Sequence, residues 1–597
     1  MLPLTLSVQD LQTRYREGSL TPLQVVDEVL KRIAASTDKA VWISRVTDED
    51  LRNAAQALGS YNPSQALWGV PFALKDNIDC AGLETTAACP AFAYQPKEDA
   101  TVVARLRAAG ALLIGKTNLD QFATGLNGTR SPYGAPRSVF DARYVSGGSS
   151  SGSAVAVASG QVCFSLGTDT AGSGRVPASF NNLIGIKPTR GLLPNYGLVP
   201  ACRSLDCITV FAANTADADR VRRVAQGDDA RDPYARTGAQ RSLPTKDFRF
   251  AVLTESEREF FGDTQAAQMY AQSIERLSAL GGVAVEFDYK PFREAAALLY
   301  AGGFVAERLE PLRYFLRDHA EDMYPTVRGI ISGAQKFTAA DLFADMNALE
   351  TLRRKAEKAW SAFDLMLLPT TPTIYSVEEM QAEPVLLNSR LGLYTNFVNL
   401  LDYCAVAVPA GFRDNGLPFG VSLIAPAFAD DALAALAQRL HISGAFGLGV
   451  DRNATISEST MSVPNDDRIT IAVVGAHLTG MPLNHELTGP GGTLLRQTRT
   501  TKNYRFYVLP NTTPKKPGLV FSPDAEGPGI ELELWSLPAA AFGQFVARIP
   551  SPLGIGKLKL EDGTEASGFL CEAYAVAGAQ EITELGGWRA YIAGLKP

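Results

Sequence analysis

The chain reads as an α/β protein with a smaller, β-rich α+β domain behind it, and three observations say so. Strand-like apolar runs alternate with helical patterns over residues 1–440, the stretch 441–467 loses periodicity, and period-two alternation dominates 468–597. We therefore expect a first domain, a linker and a second domain over those ranges. With 46% of its 597 residues apolar and 20% charged, the chain can fill a large core and lacks the polar bias of disordered sequences.

Each element has its own local reason. Residues 19–33, SLTPLQVVDEVLKRI, predict a helix because Thr21 can cap it, Pro22 fits the first turn, and Val25, Val26, Val29 and Ile33 form an apolar stripe. VPFALKDN (70–77) reads as a buried strand, DATVVARLRAAG (99–110) as a helix and ALLIGK as the strand after it. FRFAVLT, a helical 264–280 and VAVEFDY repeat the alternation. Between 441 and 467, Gly, Ser, Thr and Asn accumulate as a linker requires. Beyond it, RITIAVVGA, YRFYVLP, IELELWSLP and GKLKLEDGTEASGFLCEAYAV alternate as strands do, and Asp562-Gly563 marks a hairpin.

Composition excludes several classes of function. A formal charge of -7 leaves no basic footprint for phosphate neutralisation, so a small-molecule substrate is expected and nucleic acid is not. Seven cysteines, of which only Cys202 and Cys207 lie close together, match neither a C-x-x-C nor a zinc pattern. The N-terminus lacks a basic segment followed by an apolar run, and no apolar stretch reaches about 18 residues. No metal, no cofactor and no membrane are therefore expected, and a reducing cytoplasm is the expected location. Of four histidines only His319 lies well inside the first 440 residues, which makes a Ser-His-Asp triad or a histidine-rich metal centre a poor expectation there.

The densest chemical signal is YVSGGSSSGSAVAVASGQVCFSLGTDTAGSGRVPAS, residues 144–179. Gly147, Gly148 and Gly152 permit close backbone approach, and the small residues after them suit a tightly packed helix. Taken alone, the run reads equally as a flexible loop or a phosphate cradle, although the nucleotide-binding glycine patterns are missing. A second turn, Thr170-Ala171-Gly172-Ser173-Gly174-Arg175, and the isolated Lys75 change its meaning. A serine hydroxyl needs a base, and with histidine scarce a lysine can supply it. Such a lysine must lose its charge, its pKa falling from about 10.4, and burial beside Val70, Pro71, Phe72, Ala73 and Leu74 would do that. The alternative for Lys75 is an ordinary salt bridge with Asp76 or Asp79.

The run Gly147–Gly152, the turn Asp169–Arg175 and the upstream Lys75, in that family's order and spacing, resemble the amidase signature family over about residues 5–435. The resemblance implies a mixed sheet flanked by helices. It also implies that Ser173 attacks an amide carbonyl, Ser149 relays its proton and Lys75 accepts it. The backbone N–H groups of Thr170, Ala171, Gly172 and Ser173 would then receive the oxyanion, an arrangement worth about 3 kcal/mol or more per donor. Asp169 and Arg175 read as a pair that fixes the turn.

Three further features, KTNLDQFATGLNGTRSPYG (116–134), LLYAGGFVAERL (298–309) and the appended C-terminal domain, resemble those of allophanate hydrolases. That resemblance implies hydrolysis of allophanate, the N-carboxylate of urea, to ammonia and carbon dioxide. It assigns substrate contact to Tyr300 and Arg308, which with Phe304 would share one face of a continuous helix. Read without it, Arg308 pairs with Glu307 or Glu310. Asn118, Asp120 and Gln121 could line the site but read more readily as loop holders. The C-terminal domain resembles that of allophanate hydrolases and, distantly, γ-glutamylcyclotransferases. This implies a role in breaking down N-carboxycarbamate, with His477 the first candidate and His485 nearby; no acidic base of the cyclotransferase kind is evident. The same family logic implies coupling to a biotin-dependent urea carboxylase on a separate chain, since no A-M-K-M segment occurs here. A glutaminase subunit of a tRNA-dependent amidotransferase and a non-catalytic scaffold are the rival readings. Oligomeric state stays open, a homodimer being one option.

Overall fold

The computed structural model describes residues 2–238, 240–456, 468–490, 492–510 and 512–595. The chain divides into two compact units, at residues 1–463 and 464–597. Among the described residues the first unit is built on one 11-stranded sheet in the order β1-β3-β2-β4-β6-β5-β10-β11-β9-β7-β8. The strands are β1 Trp42–Arg45, β2 Pro71–Lys75, β3 Leu112–Thr117, β4 Phe164–Asp169, β5 Ile184–Lys187, β6 Cys207–Ala212, β7 Phe248–Leu253, β8 Gly282–Phe287, β9 Leu365–Pro369, β10 Tyr403–Phe412 and β11 Pro418–Pro426. β2 runs parallel to β3 and β4, and β7 parallel to β8 and β9, while the remaining pairs are antiparallel. The sheet is thus mixed and flanked by helices, as the sequence led us to expect.

β2, β3, β4 and β6 are buried along their whole length, because helices cover both faces. That double burial is why they read as continuous apolar runs rather than alternating ones. The helix Pro22–Ala35 carries the predicted cap: Thr21 accepts from the Gln24 N–H, and the Gln24 side chain returns the bond. Its stripe Val25, Val26, Val29 and Ile33 enters the core. Lys75 closes β2 and Asp169 closes its parallel neighbour β4, so both side chains emerge at the carboxyl ends of the strands, where open sheets place their ligands.

The stretch 441–467 divides. The helix Asp430–Gly444 carries past residue 440, with His441 buried in the core of the first unit. Leu448 accepts from Thr5, and the N–H groups of Gly449 and Val450 bond to Asn182 and Ala158. Loss of sequence periodicity marks irregular backbone there, docked by main-chain bonds that composition does not reveal. Residues 457–467 lie outside the described residues.

The second unit holds a five-stranded sheet, β13-β16-β12-β18-β17, and a three-stranded one, β15-β14-β19. These strands are β12 Arg468–Val473, β13 Thr493–Arg499, β14 Tyr504–Val508, β15 Pro517–Phe521, β16 Glu531–Pro538, β17 Leu553–Lys559, β18 Glu565–Cys571 and β19 Gln580–Glu581. The hairpin β17–β18 turns at Asp562-Gly563, where Gly563 takes φ +84. Among the described residues, no helix is long and apolar enough to cross a membrane.

Candidate active site

Burial decides the state of Lys75. With no water to solvate a charge, its amine falls from 10.5 to about 7; Asp120, Asp206 and Asp169 oppose that fall and Arg308 assists it. Lys75 Nζ lies 2.8 Å from Ser149 Oγ and 2.6 Å from Thr168 Oγ1. Neither acidic sequence neighbour takes it as a partner. Asp76 pairs with Lys116 at 3.2 Å, and Asp79 accepts from the Thr85 and Tyr94 hydroxyls. The structure therefore sets the salt-bridge alternative aside.

The glycine-serine run presents one hydroxyl to that amine. A Cβ on Gly148 would stand 2.2 Å from Asp120 Oδ2 and 2.5 Å from the Gly128 nitrogen, so only glycine fits. The Gly148–Ser149 peptide is cis. Ser150, Ser151 and Ser153 donate to the carbonyls of Thr168, Asn118 and Leu166, which occupies their hydroxyls within the scaffold. Ser149 is the one directed at Lys75. Asp120, Asn118 and Gln121 hold loops together: Asp120 accepts from the N–H groups of Asn127, Gly128 and Arg130. Asn118 donates to Ala40 and Gly134, and Gln121 links Ala88 to Tyr324.

The second turn is clamped by a buried ion pair. Asp169 and Arg175 meet through two bonds of 2.9 and 3.0 Å, both side chains fully buried. Burial alone would raise the Asp169 carboxyl, but Arg175 outweighs it and holds the group below the usual carboxylate range. The same carboxylate accepts the N–H groups of Gly172 at 2.9 Å and Gly174 at 3.0 Å. This corrects the expected set of oxyanion donors, because the Gly172 N–H is already spent on Asp169. The N–H groups of Thr170, Ala171 and Ser173 engage no acceptor among the described residues. Ser173 Oγ donates to the Gly125 carbonyl at 3.4 Å, and no hydrogen bond joins it to Ser149.

Tyr300 and Arg308 meet, by a route other than the expected one. The helix Lys290–Ala301 stops, Gly302 is extended (φ -121, ψ -172), and a one-turn segment Gly303–Val305 leads into Ala306–Leu309. A Cβ on Gly303 would come within 2.8 Å of the Leu342 backbone, so the break is packed against a neighbouring helix. Across it, Arg308 donates to the Tyr300 hydroxyl at 3.0 Å and to Thr124 Oγ1 at 3.2 Å, while its Nε lacks a partner among the described residues. Burial opposes its charge, yet Tyr300, Cys202, Asp206 and Glu307 together keep it protonated. Its expected alternative partner Glu307 bonds Ser204 instead. Tyr300 borders a cavity of about 410 Å³ shared with Arg130, Asn388 and Asn396.

In the second unit, His477 Nε2 lies 3.2 Å from Glu486, with its ring stacked on Phe569 and edge-on to Phe545. Burial lowers its pKa from the ordinary 6.5 against the pull of Glu486. Both residues line a cavity of about 240 Å³ with Lys516 and Arg548. His485 is exposed and bonds Pro482. Glu486, Thr168 and Gly125 were missed in the sequence. Glu486 could have been found, since it lies nine residues from His477; a strand threonine and a loop carbonyl carry no signal.

The family model described as Amidase matches residues 24–434, and that of the allophanate hydrolase C-terminal domain matches 469–593. The chain is 43% identical to the urea amidolyase of Saccharomyces cerevisiae over 99% of its length, but spans only 33% of that protein. It thus covers about a third of the curated relatives it first matches. The solved structure of Kluyveromyces lactis allophanate hydrolase aligns at 42% identity with a TM-score of 0.75, covering 99% of this chain and 100% of that one. A glutamyl-tRNA(Gln) amidotransferase subunit of Symbiobacterium thermophilum is 35% identical over 72% of this chain and 95% of its own.

Proposed function

The chain belongs to the amidase family, and from that premise we propose that it is an amidohydrolase that cleaves allophanate. The observation that carries the reading is a serine hydroxyl held 2.8 Å from a buried lysine whose amine titrates near 7. At neutral pH about half of such amines are uncharged and able to take a proton.

The steps follow from the atoms present. Ser173 Oγ leaves the Gly125 carbonyl, turns to Ser149 and attacks the terminal amide carbon. Its proton passes to Ser149 Oγ as the Ser149 proton passes to Lys75 Nζ. The N–H groups of Thr170, Ala171 and Ser173 are left to receive the oxyanion, while the Thr170 hydroxyl is held by Asp206. The relay then protonates the leaving ammonia, and water cleaves the acyl-serine by the reverse path. Arg308, charged, buried and short of acceptors, is suited to the substrate carboxylate, with Tyr300 alongside it. His477 with Glu486 would assist breakdown of the N-carboxycarbamate so formed. Supply of allophanate by a biotin-dependent urea carboxylase belongs to the same proposal. So does a reducing cytoplasm, which suits seven cysteines that are all free and buried.

Ammonia release from allophanate, malonamate, biuret and glutamine tests the reading. Allophanate should be turned over fastest, and Ser173→Ala should abolish it. His477→Ala should release the first ammonia normally and the second slowly. A full-length chain that ignores allophanate while consuming glutamine would overturn the assignment in favour of an amidotransferase glutaminase.

A further inference from the structure

The turn Cys202–Asp206 lies between the two halves of the amidase site and is bonded to each. On one side, Glu307 accepts from the Ser204 N–H at 2.7 Å and from the Ser204 hydroxyl at 2.8 Å. Glu307 is the residue before Arg308, on the same one-turn helix Ala306–Leu309. On the other side, Asp206 accepts the hydroxyl of Thr170, the first residue of the turn that carries Ser173. Asn399 adds a second link there, donating to the carbonyls of Leu205 at 2.9 Å and Asp169 at 2.7 Å. The turn is stiff in itself. The N–H groups of Leu205 and Asp206 both bond the Cys202 carbonyl, and Asp206 accepts the N–H groups of Ala201 at 2.8 Å and Cys202 at 3.2 Å. Cys202, Leu205 and Asp206 are buried, and the Ser204–Glu307 bonds are half-buried.

We propose that this turn is a mechanical tie, with Glu307 and Asp206 as positioning residues that make the alignment of the oxyanion turn depend on an anion seated at Arg308. An incoming carboxylate pulls on Arg308, Glu307 moves with it, and the tie transmits that displacement to Thr170 and the donors behind it. Binding energy from a part of the substrate that does not react is thereby used in the transition state, which favours carboxylated amides through kcat rather than KM. The inference rests on the proposed carboxylate site at Arg308.

A double-mutant cycle on the full chain tests it. Glu307→Gln and Thr170→Val are combined, with Ser204→Ala as the milder cut, and kcat and KM are measured for allophanate and for biuret, which has no carboxylate. Melting curves confirm folding; should Glu307→Gln fail to fold, Ser204→Ala takes its place in the cycle. Each single change should lower kcat for allophanate at least tenfold with KM within about threefold, and the double variant should lose no more than the worse single one. Glu307→Gln should slow allophanate at least tenfold more than biuret. Losses that multiply in the double variant, or that match on both substrates, overturn the tie. A wild-type chain inert to allophanate refutes the substrate reading instead.

Discussion

Replacing Lys75 by methionine should disable the enzyme and stabilise the fold together, and the second effect should fade as pH rises. Holding a buried amine near 7 rather than at 10.5 costs the folded state on the order of 5 kcal/mol. The sign follows from proton counting. Between pH 7 and 10.5 the unfolded chain binds a proton at Lys75 that the folded chain has released, so wild-type stability rises with pH across that window. Below about 7 both states are protonated and the penalty is complete; above 10.5 it is gone. Lys75→Met has no such penalty, and it gives up two hydrogen bonds, to Ser149 and Thr168, worth about 1 kcal/mol each. Net stabilisation of the amidase unit should therefore be a few kcal/mol at about pH 6 to 7 and turn to slight destabilisation near pH 10. Differential scanning calorimetry of both proteins at stepped pH reads this directly. Ammonia release should fall by about a thousandfold or more, as for loss of a general base, and in the wild type kcat/KM should drop as pH falls through about 7. A stability difference that does not change with pH, or a variant with full activity, would refute the uncharged-lysine mechanism.

Arg308→Lys keeps the charge but not the planar fork, so kcat/KM for allophanate should fall more than about tenfold while that for biuret changes less, measured by steady-state ammonia release. Asp169→Asn leaves Arg175 charged and buried without its partner; unfolding of the amidase unit in denaturant should show a loss of about 3 to 5 kcal/mol. In the second unit, Glu486→Gln removes the carboxylate that opposes burial, so the titration midpoint of His477, followed by NMR, should move further below 6.5.

What the sequence disclosed followed from how local its cause was. β2, β3 and β4 were readable because burial on both faces leaves unbroken apolar runs, and the cap at Thr21 because capping depends on residues three apart. Lys75, Ser149 and Ser173 stand in motifs whose residue types and order carry the proposed chemistry. Tyr300 and Arg308 were paired for the wrong geometric reason. A continuous helix was expected, but Gly302 is extended and Gly303 packs against Leu342, so the contact forms across a break. The spent Gly172 N–H was invisible because it depends on the rotamer of Asp169, and the links from Asp206 to Thr170 and from Glu307 to Ser204 depend on tertiary placement.

Three carboxylates, Asp120, Asp206 and Asp169, raise the Lys75 pKa, and burial nevertheless prevails. It can prevail because, among the described residues, none of the three makes an ion pair with the Lys75 amine, whose partners are Ser149 and Thr168. Asp120 is satisfied by three backbone N–H groups, Asp169 by Arg175 and two more, and Asp206 by Thr170 with Ala201 and Cys202. A carboxylate paired directly with Lys75 would hold it protonated and end its proposed use as a base. Those same bonds shape the Gly128 loop, the oxyanion turn and the turn before β6. The bonds that shape the site also hold these acids off the lysine, and a change that lets any of them swing onto Lys75 would favour its charged form.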